Sequence, residues 1–227
     1  MKNESIKLPS LFILLLVGIA AAFTSCSKDK NNNNTPSAHV RIVNAFEGSA
    51  SQDLYLDNTK VNSSAVAYAQ NTDYLSAMAG SHNGKFTNSG SATANVAFSV
   101  SLQASNYYTI YYTSNDTTKS ALVTHDDTTA TPSTGKAKVR FVQLSSAAAS
   151  AVDFGITSSS KLVTNLAYKA VSTYYEVDAN TSFSLYASGS QTVLLSIPTS
   201  VQAGKIYTVY VSGATALTLS AHVIAEN

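Results

Sequence analysis

Tryptophan is missing from this 227-residue sequence, cysteine occurs once and proline only four times. Charged residues make up 12% and nearly cancel, with 14 Lys and Arg against 13 Asp and Glu. Each shortage excludes something. A single cysteine cannot close an intramolecular disulfide, nor supply the several thiolates of a structural zinc site. A net charge near zero gives no basic patch for nucleic acid or an anionic membrane surface. The four histidines, His39, His82, His125 and His222, lie far apart and share no ligand spacing, so no metal or other cofactor is expected. The sequence also lacks a nucleophile elbow, a phosphate-cradling glycine loop and a His-Glu-x-x-His pair, so no catalytic residues are assigned. Beyond Ser27 no stretch carries a long 3.6-residue periodicity, which argues against helices.

What is present is 44% hydrophobic residues and thirteen tyrosines. That is enough apolar material for packed cores. The N-terminus has a different character. Lys2 and Lys7 precede an apolar run from Leu11 to Ala22, shorter than the ~20 residues of a membrane-spanning helix. Small residues follow, as at a signal cleavage site. The run Phe23-Thr24-Ser25-Cys26 resembles a bacterial lipobox, with Phe23 in place of the usual Leu. The resemblance implies a signal peptide over residues 1–25 and acyl chains on Cys26 as the membrane anchor. Each buried CH₂ of such a chain contributes about 0.8 kcal/mol to attachment. The polar stretch that follows has no apolar pattern, so 26–37 reads as lipidated cysteine and flexible tether. Its Cys-Ser-Lys-Asp start is similar to those of Bacteroidetes lipoproteins, which implies an envelope location, in the outer membrane on its periplasmic face or at the cell surface.

An internal repeat organises the rest. Val40-Arg41-Ile42-Val43, Asp53-Leu54-Tyr55, Ala67-Tyr68 with Tyr74, and Tyr108-Thr109-Ile110-Tyr111 each recur about 100 residues later. Their counterparts are Val139-Arg140-Phe141-Val142, Asp153-Phe154-Gly155, Ala167-Tyr168 with Tyr174, and Tyr207-Thr208-Val209-Tyr210. Two tandem domains are expected, at 38–125 and 137–227, joined by a polar linker at 126–136. Within each, β-branched and aromatic residues alternate with period 2. Tyr108, Ile110 and Tyr112 point one way and Tyr107, Thr109 and Tyr111 the other. Val40 to Val43 and Val139 to Val142 carry apolar side chains on both faces. The fold expected is all-β, two tandem β-sandwiches of immunoglobulin-like or transthyretin-like type.

The repeated blocks together resemble the family catalogued as domain of unknown function 4397. Its units combine an apolar-Arg-apolar-apolar strand, an apolar-Asp-apolar strand, an Ala-Tyr step six residues before a second Tyr, and a late Tyr-Thr-apolar-Tyr strand. Gln143 departs from the Asn or His usual after the first strand, and the turns after it lack the expected prolines. The resemblance implies sandwich units on envelope lipoproteins and no established activity.

Candidate residues follow from recurrence. Arg41 with Asp53, and Arg140 with Asp153, are expected to form structural ion pairs between strands. Tyr68, Tyr74, Tyr168 and Tyr174, like Tyr108, Tyr111, Tyr207 and Tyr210, are expected in core or corner positions with hydroxyls on backbone. Tyr107, Tyr112, Tyr175 and Tyr186 have no repeated partner and are the candidates for exposed contact with a glycan or protein. Glu176 and Asp178 would lie about 6.6 Å apart on one strand face, the least poor acid–base pair should the chain be an enzyme. The leading expectation is non-enzymatic: an envelope lipoprotein whose sandwiches serve structural or binding roles toward a glycan or another envelope protein. A carbohydrate-binding accessory protein with exposed tyrosine faces is the alternative.

Overall fold

A computed structural model describes residues 35–148, 151–157 and 160–227. The expected signal peptide, Cys26 and the expected tether up to residue 34 lie outside the described residues. Thr35–Asn227 forms one compact unit of strands, with no helix among the described residues.

In the first sandwich, one sheet holds β4 (Leu75–Met78), β1 (Ser37–Asn44), β7 (Tyr107–Ser114) and β8 (Lys119–Asp126), in that order. The facing sheet holds β3 (Thr59–Lys60), β2 (Gln52–Leu56), β5 (Gly80–Asn88) and β6 (Ala94–Leu102). The second sandwich repeats this order. One sheet is β12 (Tyr175–Asp178), β9 (Lys136–Gln143), β15 (Ile206–Ser212) and β16 (Ser220–Ala225). The other is β11 (Lys161–Leu166), β10 (Val152–Ile156), β13 (Phe183–Ala187) and β14 (Val193–Ile197). β1 runs parallel to β7, and β9 to β15, while their other neighbours pair antiparallel. Two four-stranded sheets built this way depart from the immunoglobulin order of A-B-E-D facing C-F-G. Of the two sandwich types expected, the transthyretin-like one remains.

Strand periodicity places the cores. Ala38, Val40 and Ile42 of β1 join Tyr108, Ile110 and Tyr112 of β7 against Leu54, Leu56 and Phe86. In the second sandwich Val139 and Phe141 join Val209 and Val211 against Phe154, Phe183 and Leu185. Phe141 stacks on Phe154 at 4.6 Å. The alternate residues of the same strands build a third cluster, in which Val43, Ala45 and Tyr111 meet Val142, Leu144, Tyr210 and Ile224. Thr35–Asn227 is therefore four sheets deep. The inner strands of its two central sheets, β1, β7, β9 and β15, are buried on both faces, which is why β1 and β9 are apolar on both sides.

Local chemistry fixes several turns. Asp57 and Asn58, at φ 47° and 67°, form the two-residue connection of β2 and β3, a primed turn that suits strand twist. Gly84 lies under the ring of its cross-strand neighbour Phe98, where a Cβ would come within 2.5 Å of the ring. The buried Asn44 holds the loop after β1, donating to the carbonyl of Val66 and accepting from Phe46 N and Ser49 Oγ. Gln143 does the same after β9, donating to Ser145 and Ala148 carbonyls and accepting from Ser145 N. The longer amide thus replaces the shorter one with its role intact. The connection between sandwiches is shorter than its polar composition implied, because β8 runs to Asp126 and β9 begins at Lys136.

Candidate functional site

Several of the recurring polar residues converge on the seam between the two central sheets. Tyr111 and Tyr210 meet there edge to face, with centroids 5.7 Å apart. Tyr68 of the first sandwich bonds Ser212 of the second at 2.9 Å, and Tyr168 of the second bonds Thr113 of the first at 3.1 Å. Repeat counterparts exchange places in these two bonds, so the seam is built like an isologous two-fold interface within one chain.

Four charged side chains lie in it. Arg140 is 3% exposed. Its Nη2 meets Asp126, lies 3.0 Å from Glu226 Oε1 and donates to Thr124 Oγ1. Its Nε donates to Thr208 at 2.7 Å and its Nη1 to the His125 carbonyl at 2.7 Å. Asp126 also accepts from the Tyr74 hydroxyl at 2.7 Å and from Thr109, and Glu226 from the Tyr174 hydroxyl at 2.6 Å and from Thr208. Burial raises the pKa of Glu226, as does nearby Asp126; Arg140 opposes them without cancelling the rise. Burial likewise pushes the Tyr74 and Tyr174 phenols well above their usual range.

Arg41, the counterpart of Arg140, stands apart. It is 7% exposed, its guanidinium carbon lies 4.0 Å from the Tyr74 ring centroid, and its Nε and Nη1 have no hydrogen-bond partner. The asymmetry has a source in sequence. Where Arg140 finds the Thr124 hydroxyl, the equivalent position facing Arg41 is Ile224. One hydroxyl acceptor is lost and both carboxylates gather on Arg140.

The expected ion pairs are therefore not formed. Asp53 pairs with Lys60 at 2.9 Å and Asp153 with Lys161 at 2.8 Å. The reason is layering: Asp53 and Asp153 sit in the outer sheets and point away from the cores, whereas the arginines point into the seam. Asp126 and Glu226, which do receive Arg140, recur at the repeat interval but lie where the sequence reads as linker and chain end. Burial raises the Asp153 pKa, but Lys161 and the amides of Asn165 and Gly189 more than offset it, and the net shift is downward.

The tyrosines need a correction. Tyr112 is 1% and Tyr186 6% exposed, and neither presents a ring to solvent. Tyr112 alternates with Tyr111 in a central sheet, so one fills the core and the other the seam. Tyr186 covers Lys161 at 4.8 Å. Tyr107 is half-buried against His39 and Tyr74, and Tyr175 packs on the second core. None of the thirteen tyrosines is exposed. The backbone role holds for Tyr108, Tyr207 and Tyr174, whose hydroxyls accept from Gln103 N at 3.0 Å, Gln202 N at 3.1 Å and Asp127 N at 3.2 Å. Tyr68, Tyr74 and Tyr168 bond side chains instead.

Glu176 and Asp178 are exposed on edge strand β12 and fasten neighbouring segments. Glu176 accepts from Ser133 N and Oγ at 3.0 and 2.8 Å, and Asp178 pairs with Lys136 at 2.7 Å. The Ser133 bonds hold the Glu176 carboxyl below its ordinary pKa. No cluster of three His, Cys, Asp or Glu suited to a metal occurs among the described residues. Surface clefts lie elsewhere: one of 430 Å³ beside Ser63, Gln70 and Asp73, one of 400 Å³ beside Ala147 and Leu194, and one of 260 Å³ beside Lys60 and His82. In the last, His82 Nδ1 meets Asp57 at 2.6 Å and Nε2 meets the Met78 carbonyl at 2.8 Å.

Fold and seam together define a tandem β-sandwich protein whose halves are joined face to face. The profile of the family described as "Domain of unknown function (DUF4397)" matches residues 38–155, just over half of the chain. The chain belongs to that family. The match takes in the whole first sandwich and continues through β9 into β10. No curated protein matches the sequence. Among solved structures the chain is similar to the Bacillus anthracis TIE protein, at 8% identity and a TM-score of 0.25. That similarity covers 79% of this chain, which spans about a third (34%) of the other.

Proposed function

We propose that this is a non-enzymatic lipoprotein of the bacterial cell envelope. Lipid on Cys26 holds it to the membrane, and the tether presents two joined sandwiches as a structural or binding surface toward a glycan or another envelope protein. One observation carries the non-enzymatic reading. The polar groups repeated in both halves, Arg140, Asp126, Glu226, Tyr74 and Tyr174, are engaged with one another inside the seam rather than lining a cleft. None of the thirteen tyrosines is fully exposed, which speaks against the aromatic platform of the carbohydrate-binding alternative. The lipobox-like run and the polar stretch after it support the anchor.

The test is protease shaving of intact cells, comparing wild type with Cys26→Ala. Membrane-bound wild type that shaving removes, with a variant lost from the membrane, is the result expected of a surface lipoprotein. Bound but protected wild type places the sandwiches in the periplasm. Unchanged membrane retention of Cys26→Ala refutes the anchor.

A further inference from the structure

We propose that Arg41 is an anion-binding residue, and that its site at the seam takes one small oxyanion of carboxylate or phosphate type. The case rests on an imbalance between two equivalent groups. Arg140 has two carboxylates, two hydroxyls and a carbonyl around its guanidinium. Arg41 is more than nine-tenths buried, yet its Nε and Nη1 meet no acceptor. A buried guanidinium with unbonded N–H groups is costly, and native structures seldom leave buried donors unmade. The hydroxyl of Tyr111, in the same seam, is also buried without a partner. These orphaned donors have one requirement, an acceptor, and the guanidinium favours a negatively charged one. Guanidinium is suited to an oxyanion, which accepts two N–H bonds in one plane.

The electrostatics agree. The Arg41 guanidinium lies over the ring of Tyr74, before β4, whose hydroxyl bonds Asp126 of β8; Asp126 in turn meets Arg140 of β9, which also lies beside Glu226 after β16. Both carboxylates contact Arg140 and neither contacts Arg41. Burial moves Glu226 toward its neutral form, and each proton it takes up leaves the seam one positive charge in excess. Anion binding should therefore strengthen as pH falls.

The test uses the full chain from Ser27 and three sodium salts, acetate, phosphate and chloride, at matched ionic strength. In wild type, acetate or phosphate should raise the unfolding midpoint in a saturable way that chloride does not reproduce, more at pH 5.5 than at pH 8. The ¹⁵N–¹H signal of Arg41 Nε should shift with the same dependence on concentration. Arg41→Met should fold and lose the response. Response to acetate alone marks a carboxylate site, and response to both salts a general oxyanion site. Equal responses in wild type and Arg41→Met, or an unmoved Nε signal, overturn the proposal. Should Arg41→Met fail to fold, the Nε titration in wild type decides alone.

Discussion

Replacing Arg140 by methionine removes the cation that faces both seam carboxylates and keeps a side chain of similar bulk. Asp126 and Glu226 are then left buried, at 3% and 4% exposure, with only hydroxyl donors. Stranding one side of a buried ion pair destabilises by about 3–5 kcal/mol. In a unit of this size, where 1 kcal/mol moves the midpoint roughly 2–4 °C, the loss should be roughly 6–20 °C at pH 7. Its pH dependence has a definite sign. Burial raises the pKa of Glu226 from an ordinary 4.5. An acid raised in the folded state contributes stability below its unfolded value and loses that contribution as pH climbs through the folded one. Without Arg140 the rise is larger, so the deficit of the variant should widen toward pH 8 and shrink toward pH 5. Adding Glu226→Gln to Arg140→Met should recover part of the loss. The assay is urea unfolding of both variants and wild type at pH 5, 7 and 8. A deficit below about 1 kcal/mol, the range of an exposed ion pair, or one that ignores pH, would refute the view that Arg140 pins the seam by charge.

Three further outcomes are expected. Gly84→Ala places a methyl group into the Phe98 ring and should lower stability by about 1–3 kcal/mol; the double variant with Phe98→Leu should recover much of it. Asn44→Leu leaves the Phe46 amide without its bond and the Val66 carbonyl with only that from Gln52 N, and should lose about 1–3 kcal/mol in urea unfolding, whereas Asn44→Gln should be tolerated, since Gln143 holds the equivalent loop. Asp153→Asn should lower the midpoint at pH 7. Its carboxyl pKa is depressed in the fold, so that difference should be full above the ordinary carboxylate range and fade as acid titrates the folded carboxylate.

Much of this was legible in the sequence. The blocks around Arg41, Asp53, Tyr68 and Tyr108, with their counterparts, predict two like units, and period 2 predicts their strands. Apolar residues on both faces of β1 and β9 were equally visible, but their meaning depends on a neighbour. Alternation along one strand says that both faces are covered and does not say by what. That is why Tyr112 reads as an exposed extra while it lies in a core. The ion pairs failed for a related reason. Recurrence marks Arg140 and Asp153 as important without placing them in the same layer. The true partner, Asp126, sits at a strand end whose polar surroundings hide it as linker. The rival demands on Lys161, which serves Asp153 and the Ser190 carbonyl together, likewise emerge only from the outer sheet's geometry.

The two-fold character of the seam has a consequence for how such a protein can change. In a pair of identical chains every substitution at the interface is made twice, and an isoleucine that deprives one arginine of its hydroxyl deprives the other as well. Here Thr124 and Ile224 are separate positions on one chain. One half can keep the bond that holds the faces together while the other gives it up, and Arg41 is free of the duty that Arg140 retains.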